Sequence, residues 1–587
     1  MIRTTGLDRF VEAQRGKLVI QPRMGFSDLA RMRRGLLAVK ALPFPTVGTI
    51  TLDSFTRVGD LQQAAAAVQE SKPLNGFPIL SYAPEQVREL LAEVADNGFP
   101  VQVRHGTPLP LNLFRGLRRI GLVATEGGPI SYCLPYGQVP LTQCIDNWAD
   151  SCQLLAESEG DGSHPHLESF GGCMMGQLSP PALLIAITIL EGMFFTQHGL
   201  RSLSLSYAQG TNPCQDAGAV VALRRLAARY LTQRWHLVLY MYMGLFPKTV
   251  LGAHKLIDGA ASLAAQTGCE RIIIKTAVES QHIPSIEDNL SAMRRTAAAA
   301  GQQRSLDAQQ VGVHAAELEE EAATLIDSVL NLGTDLKRSL RLAFARGLLD
   351  VPYCLHPDNR GATRTQIDDH GIIHWLDTGR LALRSRPQLT VFGPRLSSDG
   401  LLDSLSYHRR ALDEQPALVD APPHVNLNAQ NGAPGRAVLA TIPSDSHSWN
   451  LIFIEQLLRE HGYAVLPLGT CTAISRTVQS CLDHPPDLLV ISTVNGHGYL
   501  EGAELARCIR REPTLAGTRL VIGGLLGSDP LQLHDQVAEL RRAGFDHVYA
   551  GDTAVRQFRH FLSTPGLTCE FPCADSPRAP EEKRGMI

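Results

Sequence analysis

Three arginines, Arg23, Arg57 and Arg104, each stand just beyond a different short, β-prone run of the sequence. A guanidinium is a rigid planar fork that grips a carboxylate through two parallel hydrogen bonds, a task lysine performs poorly. Taken singly, an arginine is usually an exposed or ion-paired residue. Three at separate strand ends can converge on an anionic substrate. Lys275 closes another such run and Glu279 follows it, a pair that suits either a site or a plain mutual ion pair. Far downstream, Ser444-Asp445-Ser446-His447-Ser448-Trp449-Asn450 follows the apolar run 437–442. A metal-bound histidine needs its second ring nitrogen held by a carboxylate or carbonyl, and Asp445, two residues before His447, can do that. The plainer reading is that Asp445 caps the following helix.

These residues need a frame. From about 18 to 280 the chain alternates β-rich runs with helical stretches, with candidate strands at 18–21, 46–52, 78–81, 101–103, 123–125, 202–206, 236–240 and 271–275. Further candidates stand at 130–132 and 167–170. Strand, loop and helix in regular alternation predicts a parallel sheet, and about eight units over this length predict a (β/α)8 barrel. Arg23, Arg57 and Arg104 then fall at the C-terminal rim, where barrel enzymes place their sites. Residues 281–420 read as a helical and irregular extension. The acidic cluster Glu317-Leu318-Glu319-Glu320-Glu321 is a solvated helix face, and the Arg-rich segment 357–376 is irregular. Pro, Asn and Gly mark 421–435 as a linker. Residues 436–563 give strands at 437–442, 464–468, 488–493, 520–523 and 547–550 with helices between, the flavodoxin-like doubly wound pattern. The Pro-rich tail 564–587 reads as disordered.

Length and composition set limits. A chain of 587 residues exceeds one compact domain. A formal net charge of −4 with no basic stripe argues against nucleic acid or a membrane surface as partner. The longest apolar run, 181–195, is broken by Glu191 and reads as a core helix. The N-terminus lacks the apolar core of a signal peptide. The 12 cysteines include no Cys-x-x-Cys, so a zinc site is disfavoured, and reduced thiols in a cytoplasmic protein are the expectation.

The C-terminal domain resembles the cobalamin-binding domain: Asp-x-His after its first strand, Ile491-Ser492-Thr493-Val494-Asn495-Gly496 at its third, and Val521-Ile522-Gly523-Gly524 at its fourth. The upstream part resembles the large subunit of glutamate mutase (methylaspartate mutase) from about residue 18 to 380. The resemblance rests on Gln21-Pro22-Arg23-Met24-Gly25, Thr51-Leu52-Asp53-Ser54-Phe55-Thr56-Arg57, Leu74-Asn75-Gly76-Phe77-Pro78 and Gln102-Val103-Arg104-His105-Gly106-Thr107-Pro108. It continues through Glu126-Gly127-Gly128-Pro129-Ile130-Ser131-Tyr132, Pro135-Tyr136, Met243-Gly244, Phe246-Pro247 and Lys275-Thr276-Ala277-Val278-Glu279. The chain therefore looks like both subunits of that family fused, large first.

The resemblance implies an adenosylcobalamin-dependent carbon-skeleton mutase that interconverts L-glutamate and L-threo-3-methylaspartate by a radical route. It assigns Arg23, Arg57 and Arg104 to the substrate carboxylates, Glu126 and Tyr136 to the amino group and a carboxylate, and Tyr132 to the cavity. Glu126 is the implied acceptor of the ammonium proton, with Arg104 and Tyr136 beside it. His447 is the implied lower cobalt ligand, held by Asp445. Ser492, Thr493, Val494, Gly496, Gly523 and Gly524 would house the cofactor's nucleotide tail. Gly25, Asn75, Pro135, Phe170, Met243, Lys275 and Glu279 would face the cofactor from the barrel, with Lys275 and Glu279 on the adenosyl ribose. For Phe170 and Met243, core packing is an equal account. Three departures stand out. Asn450 replaces the glycine of Asp-x-His-x-x-Gly, few residues precede the first strand, and Tyr240-Met241-Tyr242 stands where the family more often has His and Trp. The same chemistry on another amino dicarboxylate, a corrinoid methyltransferase, and a corrinoid-binding sensor remain open. The family's large subunit pairs with itself, which implies a homodimer through the barrel.

Overall fold

The computed structural model describes residues 6–96, 98–161, 165–279, 283–302, 305–383, 397–413, 435–527, 532–551 and 553–563. Nearly all of the expected linker and the whole of the expected tail lie outside them.

Eight parallel strands form the N-terminal sheet: β1 (Val19–Pro22), β2 (Gly48–Thr51), β3 (Val101–Arg104), β4 (Ala124–Gly127), β5 (His166–Ser169), β6 (Ser202–Ala208), β7 (Arg234–Tyr240) and β8 (Arg271–Ile274). Their order runs β1-β8-β7-β6-β5-β4-β3-β2. A parallel bridge between Ile20 and Thr46 brings β1 back to β2 and closes the barrel. Strands buried on both faces read as continuous apolar runs rather than alternating ones. The helix Pro181–Gln197 outside β5 and β6 is likewise apolar on every side, and Glu191 within it is fully buried.

Two of the candidate strands are turns. Pro78 lacks an amide hydrogen, and after the single bridge from Leu52 to Phe77 the chain folds back through Ile79 N to Phe77 O and Ser81 N to Pro78 O. At 130–132 the amides of Ile130 and Ser131 donate to the Glu191 carboxylate, 3.1 and 2.8 Å away, so no strand ladder can take them. The candidate at 167–170 overlaps the true β5.

After the barrel come the helices Ile286–Ala300, Ala308–Leu330 and Leu336–Arg346, the second packed against Pro213–Tyr230 of the barrel's outer ring. The segment expected to be irregular holds an antiparallel hairpin, β9 (Arg364–Ile367) and β10 (Ile373–Asp377). Its turn is organised by Asp368, whose carboxylate accepts from His370 N and Ile372 N, a local arrangement that no hydrophobic period signals.

The C-terminal domain is a five-stranded parallel sheet: β11 (Arg436–Ala440), β12 (Ala464–Gly469), β13 (Leu488–Thr493), β14 (Arg519–Gly524) and β15 (His547–Ala550), in the order β12-β11-β13-β14-β15. The order reverses between β11 and β13, which opens a crevice beyond their C-terminal ends. No helix among the described residues is long and apolar enough to cross a membrane.

Candidate active site

The rim of the barrel gathers the arginines as expected, each through a different element. Arg23 directly follows β1. Arg57 lies on the short helix Ser54–Val58, started by the Asp53 carboxylate, which accepts from Phe55 N and Thr56 N at 2.9 and 3.0 Å, and stopped by Gly59 at φ +82°. Arg104 is the last residue of β3, and Glu126 lies within β4. Gly25 lets β1 close on β2, since a Cβ there would sit 2.3 Å from Thr51 O.

Arg104 and Glu126 are both buried, and Arg104 Nε donates to Glu126 Oε2 at 2.8 Å. Burial opposes the charge on Arg104, but Glu126, Tyr240 and Tyr132 outweigh it and hold the guanidinium more firmly protonated than usual. Tyr132 donates to Glu126 Oε1, and Tyr240 donates to Glu126 Oε2 at 2.6 Å. Around them Tyr132, Tyr136, Phe170 and Tyr240 form an aromatic wall, with ring centroids 5.0 Å apart for Tyr132 and Phe170 and 5.5 Å for Phe170 and Tyr240. Burial raises the Tyr136 hydroxyl well above its ordinary value, against the opposing pull of Arg23 and Arg57.

The three arginines share one feature. Arg23 Nε, Arg57 Nε and Arg104 Nη1 are buried and have no hydrogen-bond partner among the described residues. A buried donor left unpaired costs about 1–3 kcal/mol, and proteins keep few of them. Three of them gather on this one rim.

Lys275, just beyond β8, is buried, and its ammonium lies 3.1 Å from Glu279 and 5.0 Å from the centroid of the Phe246 ring. Burial lowers the Lys275 ammonium, while Lys275 and Arg23 overcome burial to lower the Glu279 carboxyl. Arg23 reaches the same Glu279 oxygen at 3.7 Å. The pair is thus mutual and also tied to the arginine set. Met243 is partly buried and packs with the apolar core.

The loop after β11 has the arrangement the sequence suggested. Asp445 is fully buried, and its Oδ1 lies 2.6 Å from His447 Nδ1 while its Oδ2 accepts from Thr493 Oγ1 and Val494 N, each at 2.7 Å. Burial alone would raise this carboxyl; His447 and the converging donors hold it down at about 2. The His447 side chain is 54% exposed, so Nε2 is left to face outward. Asp445 holds the His447 ring and does not cap the following helix, whose N-cap is Ser448. Beyond the crevice, Gly524 adopts φ +123°, and a Cβ there would meet Thr493 O at 1.9 Å. Gly523 and Gly496 lie beside it on β14 and in the loop after β13. Asn450 bridges the crevice: its Nδ2 donates to Ser492 Oγ at 2.9 Å, and its Oδ1 is buried without a partner among the described residues.

The C-terminal ends of the two sheets face each other. Arg57 Nη2 donates to Ser444 O at 3.0 Å, His497 stacks on Phe55 with centroids 4.6 Å apart, and its Nδ1 is 3.1 Å from Ser54 Oγ. Asn75 holds Ser54 N through Oδ1 at 3.0 Å and reaches Asn495 O through Nδ2 at 3.5 Å. Trp449 Nε1 donates to Met175 O at 2.7 Å. Pro135 O and Tyr136 O accept from Thr470 Oγ1 and Cys471 Sγ at 3.5 and 3.4 Å. Burial and the nearby Arg57 lower the His497 imidazole to about 4.

Sequence reasoning missed Glu168, Glu191, Trp449 and His497. It noted Tyr240 only as an altered wall. Glu191 holds the loop after β4 through Ile130 N, Ser131 N and Ser131 Oγ, and ties it to β5 through Ser169 Oγ. Its one visible sign was a charge inside an apolar helix.

The sequence pattern of the family described as Methylaspartate mutase E chain (MutE) matches residues 7–390 and ends before the C-terminal domain. The glutamate mutase epsilon subunit of Halobacterium salinarum is 33% identical over 347 residues, 57% of this chain and 71% of that protein. The glutamate mutase epsilon subunit of Yersinia enterocolitica is 30% identical over 349 residues, 57% of this chain and 72% of that protein. Among solved structures, a cobalamin-binding protein from Desulfitobacterium hafniense DCB-2 overlaps 28% of this chain and 65% of its own at 16% identity, with a TM-score of 0.19. With its closed barrel and its arginine rim inside the matched span, the chain belongs to the methylaspartate mutase E chain family.

Proposed function

We propose that this chain is an adenosylcobalamin-dependent mutase that interconverts L-glutamate and L-threo-3-methylaspartate. The observation that carries the reading is the set of unpaired buried nitrogens on Arg23, Arg57 and Arg104 around the Glu126 carboxylate. The substrate has two carboxylates and one ammonium. The arginines meet the carboxylates with bidentate forks, and Glu126 takes the ammonium and, during reaction, its proton.

The C-terminal domain fits the cofactor on its own geometry. His447 offers Nε2 to a metal, Asp445 fixes the ring, and the crevice between β11 and β13 lies beside it. When bound, the cofactor supplies the radical chemistry. The protein's share is to hold the substrate against migration, to move one proton between the ammonium and Glu126, and to exclude water between the facing sheets. Arg57 joins both halves, since its Nη2 holds Ser444 O one residue before Asp445 while its Nε is unpaired. Self-pairing through the barrel and residence in the cytoplasm belong to the same proposal.

Calorimetric titration with L-glutamate tests the clamp without turnover. Alanine in place of Arg23, Arg57 or Arg104 is expected to weaken binding at least tenfold each. Undiminished binding in all three would remove the clamp. Tight binding of a different amino dicarboxylate with none of L-glutamate would keep the chemistry and change the substrate.

A further inference from the structure

One phenol stands between the two carboxylates at the centre of the barrel. Tyr240 ends β7 and is fully buried. Its hydroxyl lies 2.6 Å from Glu126 Oε2 and within hydrogen-bond reach of Glu168 Oε1. A phenol carries a single proton, so it serves one carboxylate oxygen at a time.

The two acceptors differ in what else holds them. Glu168 is fixed from within the barrel. Arg271 donates to its Oε2, and Ser204 Oγ donates to the same oxygen at 2.8 Å. Burial would raise this carboxyl, but Arg271 and the surrounding donors outweigh it and keep it ionised. Glu126 lies one layer higher, facing the site, with Arg104 Nε on Oε2 and Tyr132 on Oε1. Arg104 also lies over the Tyr240 ring, 5.0 Å from its centroid. Cys173 is the remaining titratable neighbour, and burial pushes its thiol up, so it stays neutral.

We propose, resting on the reading of Glu126 as acceptor of the substrate's ammonium proton, that Tyr240 is a positioning residue whose hydroxyl re-aims between Glu126 and Glu168 as Glu126 changes charge. With Glu126 ionised, the phenol hydrogen points at its Oε2 and lowers its basicity. When the ammonium nitrogen passes its proton to Glu126, the protonated oxygen becomes a weak acceptor and the phenol hydrogen turns to Glu168. One N–H bond breaks and one O–H bond forms; the phenol keeps its own hydrogen throughout. Glu168 stays charged against Arg271, so the turn costs no new buried charge. When the proton returns to nitrogen, the phenol hydrogen returns to Glu126. The hydroxyl thereby follows the charge on Glu126 while keeping its own hydrogen.

The pH dependence of L-glutamate affinity, read by calorimetry on the full chain, tests this beside the pH profile of kcat/KM. Tyr240→Phe removes a donor to Glu126, and the acid limb of both profiles is expected to move up by about one pH unit. Tyr240→3-fluorotyrosine keeps the ring and sharpens the donor; it is expected to move the limb down, and it serves if the phenylalanine variant does not fold. Tyr242→Phe, whose hydroxyl meets Gln177 at 2.9 Å, is expected to leave the limb in place. A limb that stays fixed in both Tyr240 variants, or moves the same way in both, overturns the proposal. Wild-type affinity and turnover in Glu126→Gln overturn instead the role of Glu126 on which it rests.

Discussion

At the middle of the barrel Arg271 has every nitrogen occupied; one layer higher, Arg104 does not. Arg271 Nη1 donates to Gln21 and to Gln102 at 3.1 Å, its Nη2 to Glu168 and to Ser204 at 3.0 Å, and its Nε to His236 at 3.4 Å. Arg104 uses Nε on Glu126 and leaves Nη1 buried and unpaired, as Arg23 and Arg57 leave their Nε atoms. Both layers pair arginine with glutamate inside the same barrel. The lower layer is complete as it stands, and its work is to hold the sheet together. The upper layer is left open, and the proposed substrate carboxylates would complete it. Burial of an arginine therefore says little by itself; Arg341 and Arg410, away from the rim, also bury an unpaired Nε, and what sets the rim apart is that three such nitrogens gather there.

The comparison can be broken from either side. Removing one partner of the complete layer leaves a charge buried alone. Glu168→Ala is expected to lose about 3–5 kcal/mol of stability, read as a large fall in Tm or as failure to fold. In the incomplete layer the effect moves from stability to chemistry. Arg104→Lys cannot offer the fork, and it is expected to lower kcat/KM by roughly 10- to 150-fold with Tm and cobalamin binding unchanged. Near wild-type turnover in that variant would mean that the unpaired nitrogen meets no carboxylate.

The C-terminal loop provides a third contrast, since Asp445 is complete on its own side and presents His447 outward. Asp445→Asn is expected to weaken corrinoid affinity roughly 10- to 100-fold, measured by absorbance titration. The carboxyl lies at about 2 against an ordinary 3.8. Its contribution to stability is therefore fully present above about pH 4 and is lost as pH falls toward 2. A Tm that changes equally in wild type and Asp445→Asn across that window would contradict the assignment. The smallest expected effect is at Asn450, which spans the crevice to Ser492. Asn450→Gly opens it and is expected to tighten corrinoid binding a few-fold, about the worth of one hydrogen bond; weaker binding would show that the amide is itself a contact.

Much of this was legible in the sequence because it rests on local signals. Strand-ending runs placed Arg23, Arg57, Arg104 and Lys275 on the rim, and Asp-x-His placed the paired Asp445 and His447 in the loop after β11. What escaped depends on distant partners. The run at 78–81 has strand-like composition, yet Pro78 and its turn hydrogen bonds fold it back. Glu168 and Arg271 stand more than a hundred residues apart, and nothing local marks either as half of a pair. Glu191 looked like an interruption of an apolar helix, whereas it collects three donors from the loop that carries Tyr132 and a fourth from Ser169 of β5. Trp449 and His497 gain meaning only once the two sheets face each other.

The most direct measurement is anaerobic incubation of the full chain with adenosylcobalamin and L-glutamate, with 3-methylaspartate read by mass spectrometry. Product from the wild type, lost in Arg104→Ala while cobalamin still binds, is the expected result. Equal product from Arg104→Ala, or none from a wild type that holds the cofactor tightly, would contradict the account.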